Sequence, residues 1–232
     1  MTLSDNLADL EKRLGLEFSN KALLQLALVH RSYLNEKGGT LESNERLEFL
    51  GDAILGAIVA EHLYLTFPEQ SEGGLTDLRS ALVRRETLAK WAASFEIGEF
   101  LLLGKGEANT GGRSRPAILS ATFETILGAM YLDKGINYVT AWLLPLVSAE
   151  LQVILQENRH LNYKTRLQVE MQRLHHIAPV YELLETSGPE HQPNFVIEVK
   201  IGEQVLGRGS GTTKQQAQQE AARTALEFLG KA

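Results

Sequence analysis

The sequence predicts two domains: an all-α domain, then a small α+β domain with the element order α-β-β-β-α. Apolar residues recur at spacings of three and four through the first 150 or so residues, as in amphipathic helices. In the last 70 or so residues the pattern changes to strand-like alternation. A polar segment at 156–162 separates the two patterns and is predicted to be a linker, which places the domains at 1–155 and 163–232.

The first domain is predicted to form a bundle of six helical segments. Breaks rich in Gly, Ser and Pro separate several of them, at Lys37–Thr40, Phe67–Gly74 and Gly104–Pro116. Pro68 is expected to close the third helix, and Pro145 to kink or split the last one, because proline lacks a backbone N–H. The predicted helices are Leu7–Leu14, Lys21–His30, Leu47–Leu65, Leu75–Phe95, Ile118–Leu132 and Tyr138–Leu155.

The second domain is predicted from its alternation and turns. Phe195, Ile197 and Val199 alternate with less apolar residues, as in a half-buried strand, and Gly202 supplies a turn. A stripe of alanines marks the last helix. The predicted elements are a helix at Thr165–Arg173, strands at Tyr181–Ser187, Asn194–Ile201 and Gln204–Gly209, and a helix at Thr213–Leu229.

Composition narrows the functional classes. The 232 residues include no cysteine, which excludes disulfides, thiolate chemistry and Cys-based zinc sites. The net charge is −6, and the whole deficit lies before residue 160. An acidic domain that handles RNA needs a way to tolerate phosphate, and bound divalent cations are one way. No signal-type core and no span of roughly 18 apolar residues is expected, so the cytoplasm is the predicted location, with no membrane partner.

Three carboxylates in the segment NERLEFLGDAIL (44–55) share one face of a predicted helix. Glu45, Glu48 and Asp52 are spaced i, i+3, i+7, and such a stack repels itself unless a cation lies among the carboxylates. Hard divalent ions prefer oxygen ligands of this kind. The alternative is a solvated acidic face with no ligand.

A fourth carboxylate stands in the apolar segment AILSATFETILGAMYLD (117–133). Glu124 there must face either solvent or a partner charge. Gly128, four residues on, leaves that face thin enough for another helix or a ligand to approach closely. The alternative is an ordinary glutamate on a helix surface.

These segments together resemble the ribonuclease III family over essentially the whole chain. The longest match is NERLEFLGDAIL (44–55), a long and specific signature. Further matches are VHRSYLNE (29–36), FPEQSEG (67–73), LTDLRSALVRRETLA (75–89), LLLGKGE (101–107), GGRSRPAIL (111–119) and ETILGAMYLD (124–133).

The resemblance implies a metal-dependent endoribonuclease. It assigns Glu48, Asp52 and Glu124 to Mg²⁺, with Mn²⁺ as a substitute, and gives catalytic roles to Asp52, Glu124 and the flanking Glu45. Glu72 matches another flanking acid. The implied reaction is hydrolysis of double-stranded RNA to 5′-phosphate and 3′-hydroxyl ends with a short 3′ overhang. No organic cofactor is implied, and the biological roles would be ribosomal RNA precursor processing and mRNA turnover.

The resemblance also implies a homodimer with the signature helix at its interface. Phe49 stands near an aromatic plug of that interface, and Gly51 is assigned to it as a point of close helix approach.

One position departs from the family pattern. The family has Asp three residues before the glutamate of the second helix, and this chain has Ala121, whose methyl group cannot bind a metal. Ser120 projects about 100° away and is a poor substitute. Three interpretations remain open: an active enzyme in which water fills the gap, a weakened paralogue that binds RNA without efficient cleavage, or an engineered change.

The last 70 or so residues resemble a double-stranded-RNA-binding domain. KTRLQ (164–168), GPEH (188–191) and TTKQQAQQEAA (212–222) carry this resemblance, and recognition is expected to follow A-form shape rather than sequence. Gln215 and Gln218 stand where the family usually has basic residues, which predicts fewer phosphate contacts and a shallower salt dependence. The predicted RNA-binding residues are Thr165, Gln168, Gln172, His191, Thr213 and Lys214.

Two other functional classes compete with the nuclease. One is a regulator that binds double-stranded RNA without cutting it, and the other is a structural ribosome-associated protein. His30, in VHRSY, is interpreted as a packing or hydrogen-bonding histidine rather than a ligand.

Overall fold

The structure, a computed structural model, describes residues 3–37, 42–157, 163–189 and 193–230. The chain divides into two compact units, Met1–His160 and Leu161–Ala232. Most of the predicted linker 156–162 and of the predicted break Lys37–Thr40 lies outside the described residues.

The described part of the first unit is helical, which confirms the predicted all-α class. Two short 3-10 turns, Ile97–Phe100 and Gly112–Ser114, interrupt the α-helices. The helices are α1 (Leu3–Leu14), α2 (Lys21–Ala27), α3 (Arg31–Lys37), α4 (Glu45–Thr66), α5 (Glu72–Leu82), α6 (Arg85–Ser94), α7 (Lys105–Asn109), α8 (Pro116–Lys134) and α9 (Ile136–Gln156).

Two predicted helices are shorter than expected. The helix predicted at Lys21–His30 ends at Ala27, because the chain then extends and pairs Val29 with Leu102 in a parallel bridge. The helix predicted at Leu75–Phe95 is two helices, because Arg84 adopts an extended conformation before α6. The apolar periodicity runs across this second break without Gly or Pro, so the pattern gave no sign of it.

Proline positions had mixed outcomes. Helix α4 ends at Thr66, two residues before Pro68, as predicted. Helix α9 continues through the exposed Pro145, so the predicted split of that helix is wrong.

Helices α4 and α8 form the centre of the first unit and touch backbone to backbone. A Cβ at Gly51 would overlap the carbonyl oxygen of Glu124, and one at Gly128 would lie 2.5 Å from the carbonyl oxygen of Leu47. The close approach predicted for Gly128 is therefore confirmed. It places the acidic face of α4 beside Glu124 of α8.

Helices α4 and α9 have the length and apolar composition of membrane-crossing helices, which corrects the expectation from the sequence. The likeness is weak, because core helices of globular proteins have the same properties. Leu55 and Val59 of α4 and Val147 of α9 are all buried in the core of the first unit.

The second unit has the predicted α-β-β-β-α order. Three antiparallel strands lie in the order β1-β2-β3, and Gly202 turns the chain between the last two with φ +55°. A Cβ at Gly207 would lie 2.6 Å from the carbonyl oxygen of Ala221, so the alanine stripe packs directly on glycines of the third strand. The elements are α10 (Tyr163–His175), β1 (Val180–Ser187), β2 (Asn194–Ile201), β3 (Gln204–Gly211) and α11 (Lys214–Phe228).

Candidate active site

The acidic residues predicted to act together come from the two central helices. Glu48 and Asp52 lie on α4, one turn apart, and Glu124 lies on α8. Gly51, between the first two, packs on the backbone of Glu124 itself. Glu48 and Glu124 are half-buried and Asp52 is exposed, so the group opens to solvent on one side.

The electrostatics of this group follow from burial and from like charge. Burial, and then the charges of Asp52 and Glu48, raise the pKa of Glu124 to about 7. Burial and the charges of Glu45 and Asp52 raise the pKa of Glu48, while Arg31 opposes the shift. Within the described residues, the carboxylates of Glu48, Asp52 and Glu124 form no hydrogen bond and no ion pair. The fold thus gathers negative charge here without neutralising it.

This donor set suits a hard divalent cation, because every candidate ligand atom is a carboxylate oxygen. The side chains do not form a closed metal site. In the part of the chain that the structure describes, no three His, Asp or Glu side chains lie close enough together to bind one metal ion. Mutual repulsion favours such an open arrangement, and Mg²⁺ in proteins usually takes one or two carboxylates and several waters.

Glu45 lies at the edge of the group rather than within it. The hydroxyl of Ser43 donates to Glu45 Oε2 at 2.8 Å, and Arg31 Nη1 lies 3.7 Å from Glu45 Oε1. Glu45 therefore has partners of its own, as suits a residue that shapes the rim of the site.

A cleft of about 390 Å³ lies beside Glu48, where helices α4 and α8 both begin. Its lining combines carboxylates with cationic and neutral nitrogen groups. The lining includes His30, Arg31, Glu45, Glu48, Arg115 and Ala121.

Ala121 faces this cleft together with Glu48, so the departure from the family pattern lies beside the carboxylates. The hydroxyl of Ser120 is buried and donates to the carbonyl oxygen of Ala117 at 3.2 Å within α8. Ser120 is therefore no replacement ligand, as predicted.

Comparison with known proteins decides the family. A family model described as ribonuclease-III-like matches residues 20–150, and one described as a double-stranded RNA binding motif matches 163–229. The chain is 46% identical to ribonuclease 3 of Roseiflexus sp. over 95% of this chain and 94% of that protein. It is 44% identical to ribonuclease 3 of Dehalococcoides mccartyi, with 96% and 94% covered. The chain belongs to the ribonuclease III family.

A solved structure agrees with this assignment. The nuclease domain of ribonuclease III from Campylobacter jejuni superimposes with a TM-score of 0.57 at 42% identity, covering 61% of this chain and 95% of that one. That structure shows flexibility in a region of the Campylobacter jejuni nuclease domain that is involved in dimer formation. The chain is accordingly an endoribonuclease with a double-stranded-RNA-binding motif.

The two residues predicted at a dimer interface have different surroundings. Phe49 projects from α4 with 81% of its surface exposed. Gly51 is buried against α8 of its own chain, so the close helix approach predicted for it occurs within the chain. Its assignment to the interface between chains stays a prediction.

Glu72 lies away from the cleft. It is the first residue of α5, and its carboxylate accepts a hydrogen bond from Thr76 Oγ1 at 3.4 Å. It lines a separate hollow of about 660 Å³ together with Glu61 of α4 and Arg79.

The predicted RNA-binding residues that the structure describes lie on, or directly before, the two helices of the second unit. Gln168 and Gln172 are exposed on α10. Thr213 caps α11, accepting a hydrogen bond from Gln216 N at 3.1 Å, and Lys214 follows at the first helical position. His191 and the side chain of Thr165 lie outside the described residues.

Sequence reasoning missed the basic side of the cleft. Arg31 and Arg115 line it, and so does His30. His30 is hydrogen-bonded to Ser32, which agrees with its interpretation as a packing or hydrogen-bonding histidine, but its place in the cleft was not predicted. All three lining residues lie in segments that resemble the ribonuclease III family, VHRSYLNE (29–36) and GGRSRPAIL (111–119). The available signal was the repetition of basic residues in segments that flank the two acidic helices.

Proposed function

We propose that this endoribonuclease hydrolyses double-stranded RNA with a divalent cation, Mg²⁺ or Mn²⁺, held by Glu48, Asp52 and Glu124. The observation that carries the proposal is the backbone contact of α4 and α8 at Gly51 and Gly128, which places Glu48 and Asp52 on one helix beside Glu124 on the other. Burial, and then the charges of Asp52 and Glu48, raise the pKa of Glu124 to about 7. A bound divalent ion would neutralise that charge, polarise the phosphate and acidify an attacking water. The proposed products carry 5′-phosphate and 3′-hydroxyl ends.

The roles of the protein groups follow from their places. Glu48 and Glu124 are half-buried and supply directed oxygen ligands, while the exposed Asp52 lies where RNA can approach. Glu124, with its pKa raised to about 7, would have to lose its proton before it could bind a cation, so metal affinity should rise with pH. Glu45 and Arg31, which pair loosely at the rim, shape the entrance for the RNA strand.

The proposed assembly is a homodimer formed through α4. Phe49 and Tyr64 are exposed on that helix, and the exposed Ala53 and Ala57 lie between them. Large apolar side chains exposed along one helix indicate a surface that another protein covers. By analogy with the bacterial relatives, the proposed setting is the cytoplasm, in processing of ribosomal RNA precursors and turnover of mRNA.

A second candidate function is suggested by Ala121. Because this position supplies no ligand, the protein could bind duplex RNA and cut it slowly, as a regulator. Incubating a labelled RNA duplex with the protein in Mg²⁺, Mn²⁺ or EDTA separates the two functions. Discrete short duplexes with 5′-phosphates, lost in EDTA and in Glu124→Gln, support the nuclease; a gel shift without products in any metal supports the regulator.

A further inference from the structure

The segment that carries His30 is anchored to both acidic helices. Asn44, which precedes α4, donates its backbone N–H to the carbonyl of Val29 at 2.9 Å and its side-chain amide to that of Ala27 at 3.0 Å. Thr125 of α8 donates its hydroxyl to the same Ala27 carbonyl at 2.8 Å. The backbone of His30 is thus fixed relative to the carboxylates of α4 and α8.

The ring of His30 is fixed as well. The backbone N–H of Ser32 points at His30 Nδ1 at 3.2 Å, and Ser32 Oγ lies 2.8 Å from the same nitrogen. A backbone N–H can only donate, so Nδ1 must be an acceptor and the ring hydrogen resides on Nε2. The N–H of Gly104 donates to Ser32 Oγ at 3.0 Å, and the Ser32 hydroxyl can donate its own hydrogen to Nδ1.

Burial, the largest influence, lowers the pKa of His30 and so favours the neutral form of its ring. The charged groups facing it are Glu107, Arg31, Glu45 and Arg115, whose effects oppose one another. Within the described part of the chain, Nε2 makes no hydrogen bond, and His30 is one of the residues that line the cleft. His30 therefore offers that cleft one fixed N–H donor.

The surroundings of this donor favour an anionic acceptor. Arg31 and Arg115 line the same cleft. Among the described residues, Arg31 pairs with Glu45, and Arg115 pairs with Glu107 and donates to the carbonyl and hydroxyl oxygens of Thr110, each at 3.2 Å. Surface ion pairs contribute little and exchange partners readily, so an incoming phosphate can recruit both guanidinium groups.

We propose that His30 is a positioning residue that donates its Nε2–H to a non-bridging oxygen of an RNA phosphate next to the scissile one. The hydrogen bond fixes the position of the RNA strand relative to the carboxylates of α4 and α8. Arg31 and Arg115 offset the charge of that phosphate. This inference rests on the proposed nuclease function and adds a specific contact to it.

Three variants separate this role from a structural one. In His30→Asn, Oδ1 takes the place of Nδ1 and accepts from Ser32, but no donor reaches the cleft. In His30→Gln, the amide nitrogen occupies the place of Nε2 and restores a donor. His62→Asn on α4, also half-buried, is the matched control.

Single-turnover cleavage at saturating duplex should fall about ten- to a hundredfold in His30→Asn. Duplex affinity in EDTA should change by less than about threefold, because the second unit retains its RNA contacts. His30→Gln should recover part of the rate, and His62→Asn should match the wild type. Equal rates for His30→Asn and the wild type would refute the proposal, whereas a wild type that cuts nothing would refute the nuclease function itself.

Chemical changes in the RNA provide a readout that a purely structural role would leave unmoved. Methylphosphonates placed singly within two nucleotides of the cut remove one acceptor oxygen each. At one position the wild type should slow about tenfold while His30→Asn shows no further loss, which is the signature of a direct contact. Losses that simply multiply at every position would overturn the proposal.

If His30→Asn folds poorly, a measurement on the wild-type protein can still test the proposed contact. Nitrogen-15 spectra of selectively labelled histidine should show the Nε2–H tautomer of His30, with a shift when duplex is added in EDTA. An Nδ1–H tautomer, or no response to the duplex, would contradict the proposal.

Discussion

Glu124 in the first unit and Glu198 in the second are both acids in largely apolar surroundings, yet their environments are opposite. Glu198, 3% exposed in the central strand, accepts a hydrogen bond from Arg208 at 2.6 Å and lies 3.2 Å from Lys200, and these partners lower its pKa. Glu124 has no such partner among the described residues, and burial beside Asp52 and Glu48 raises its pKa to about 7. The fold thus neutralises its structural acid internally and leaves the candidate catalytic acid to an external cation.

The largest expected effect comes from neutralising each acid in turn. Glu124→Gln should reduce cleavage by about a thousandfold or more, because a ligand and its charge are lost, while duplex binding persists. Glu198→Gln should leave the cleavage rate within about twofold and lower Tm, because Arg208 loses its counter-charge and Lys200 keeps only Glu182 of its two acidic partners. Cleavage assays and thermal unfolding of both variants test this contrast. Equal losses of activity in the two variants would contradict the assignment of Glu124 as catalytic and Glu198 as structural.

The helix contact that assembles the acidic group should be nearly as sensitive. Gly51→Ala places a methyl group against the carbonyl of Glu124, which we expect to cost about 3 kcal/mol or more in the free energy of unfolding and to abolish metal response. Gly56→Ala, in the same helix but with no atom from outside the adjoining helix backbone within 4 Å of the new Cβ, should be neutral or stabilising by about 0.5–1 kcal/mol. Denaturant unfolding compares the pair, and similar values would show that α4 and α8 are not in backbone contact.

A substitution at Ala121 should increase the affinity for metal rather than reduce it. Ala121→Asp adds a carboxylate beside Glu48, so the Mg²⁺ concentration for half-maximal rate should fall about tenfold. Titration calorimetry of Mg²⁺ without RNA should show the same tightening. Equal rates and equal metal dependence would show that position 121 is not near the ion.

A smaller effect should appear in the pH dependence of stability. The folded-state pKa of Glu124 lies above its unfolded value, so the protonated form favours folding and that stability is lost as pH rises through about 7. Mg²⁺ binds the deprotonated form and should raise Tm more at pH 8 than at pH 6. The difference should vanish in Glu124→Gln, and a Tm shift independent of pH would contradict the assigned pKa.

Periodicity and signature residues were enough to predict the helical class, the order of the second domain and the carboxylates of α4 and α8. Periodicity could not predict the break at Arg84, because a turn made without Gly or Pro leaves the apolar spacing intact. The place of His30 depends on pairing with a segment some 70 residues later, which local pattern does not encode. Gly51 was recognised as a point of close helix approach, but its packing on Glu124 of α8 could not be predicted, since the sequence does not say which helix approaches it.

The most direct test of the account is a crystal structure of the protein soaked in Mn²⁺, with anomalous scattering to locate the ion. The account predicts a peak between α4 and α8 with Glu48, Asp52 and Glu124 oxygens and water around it, and no such peak in Glu124→Gln. An ion bound elsewhere, or carboxylates that remain apart in saturating Mn²⁺, would contradict it.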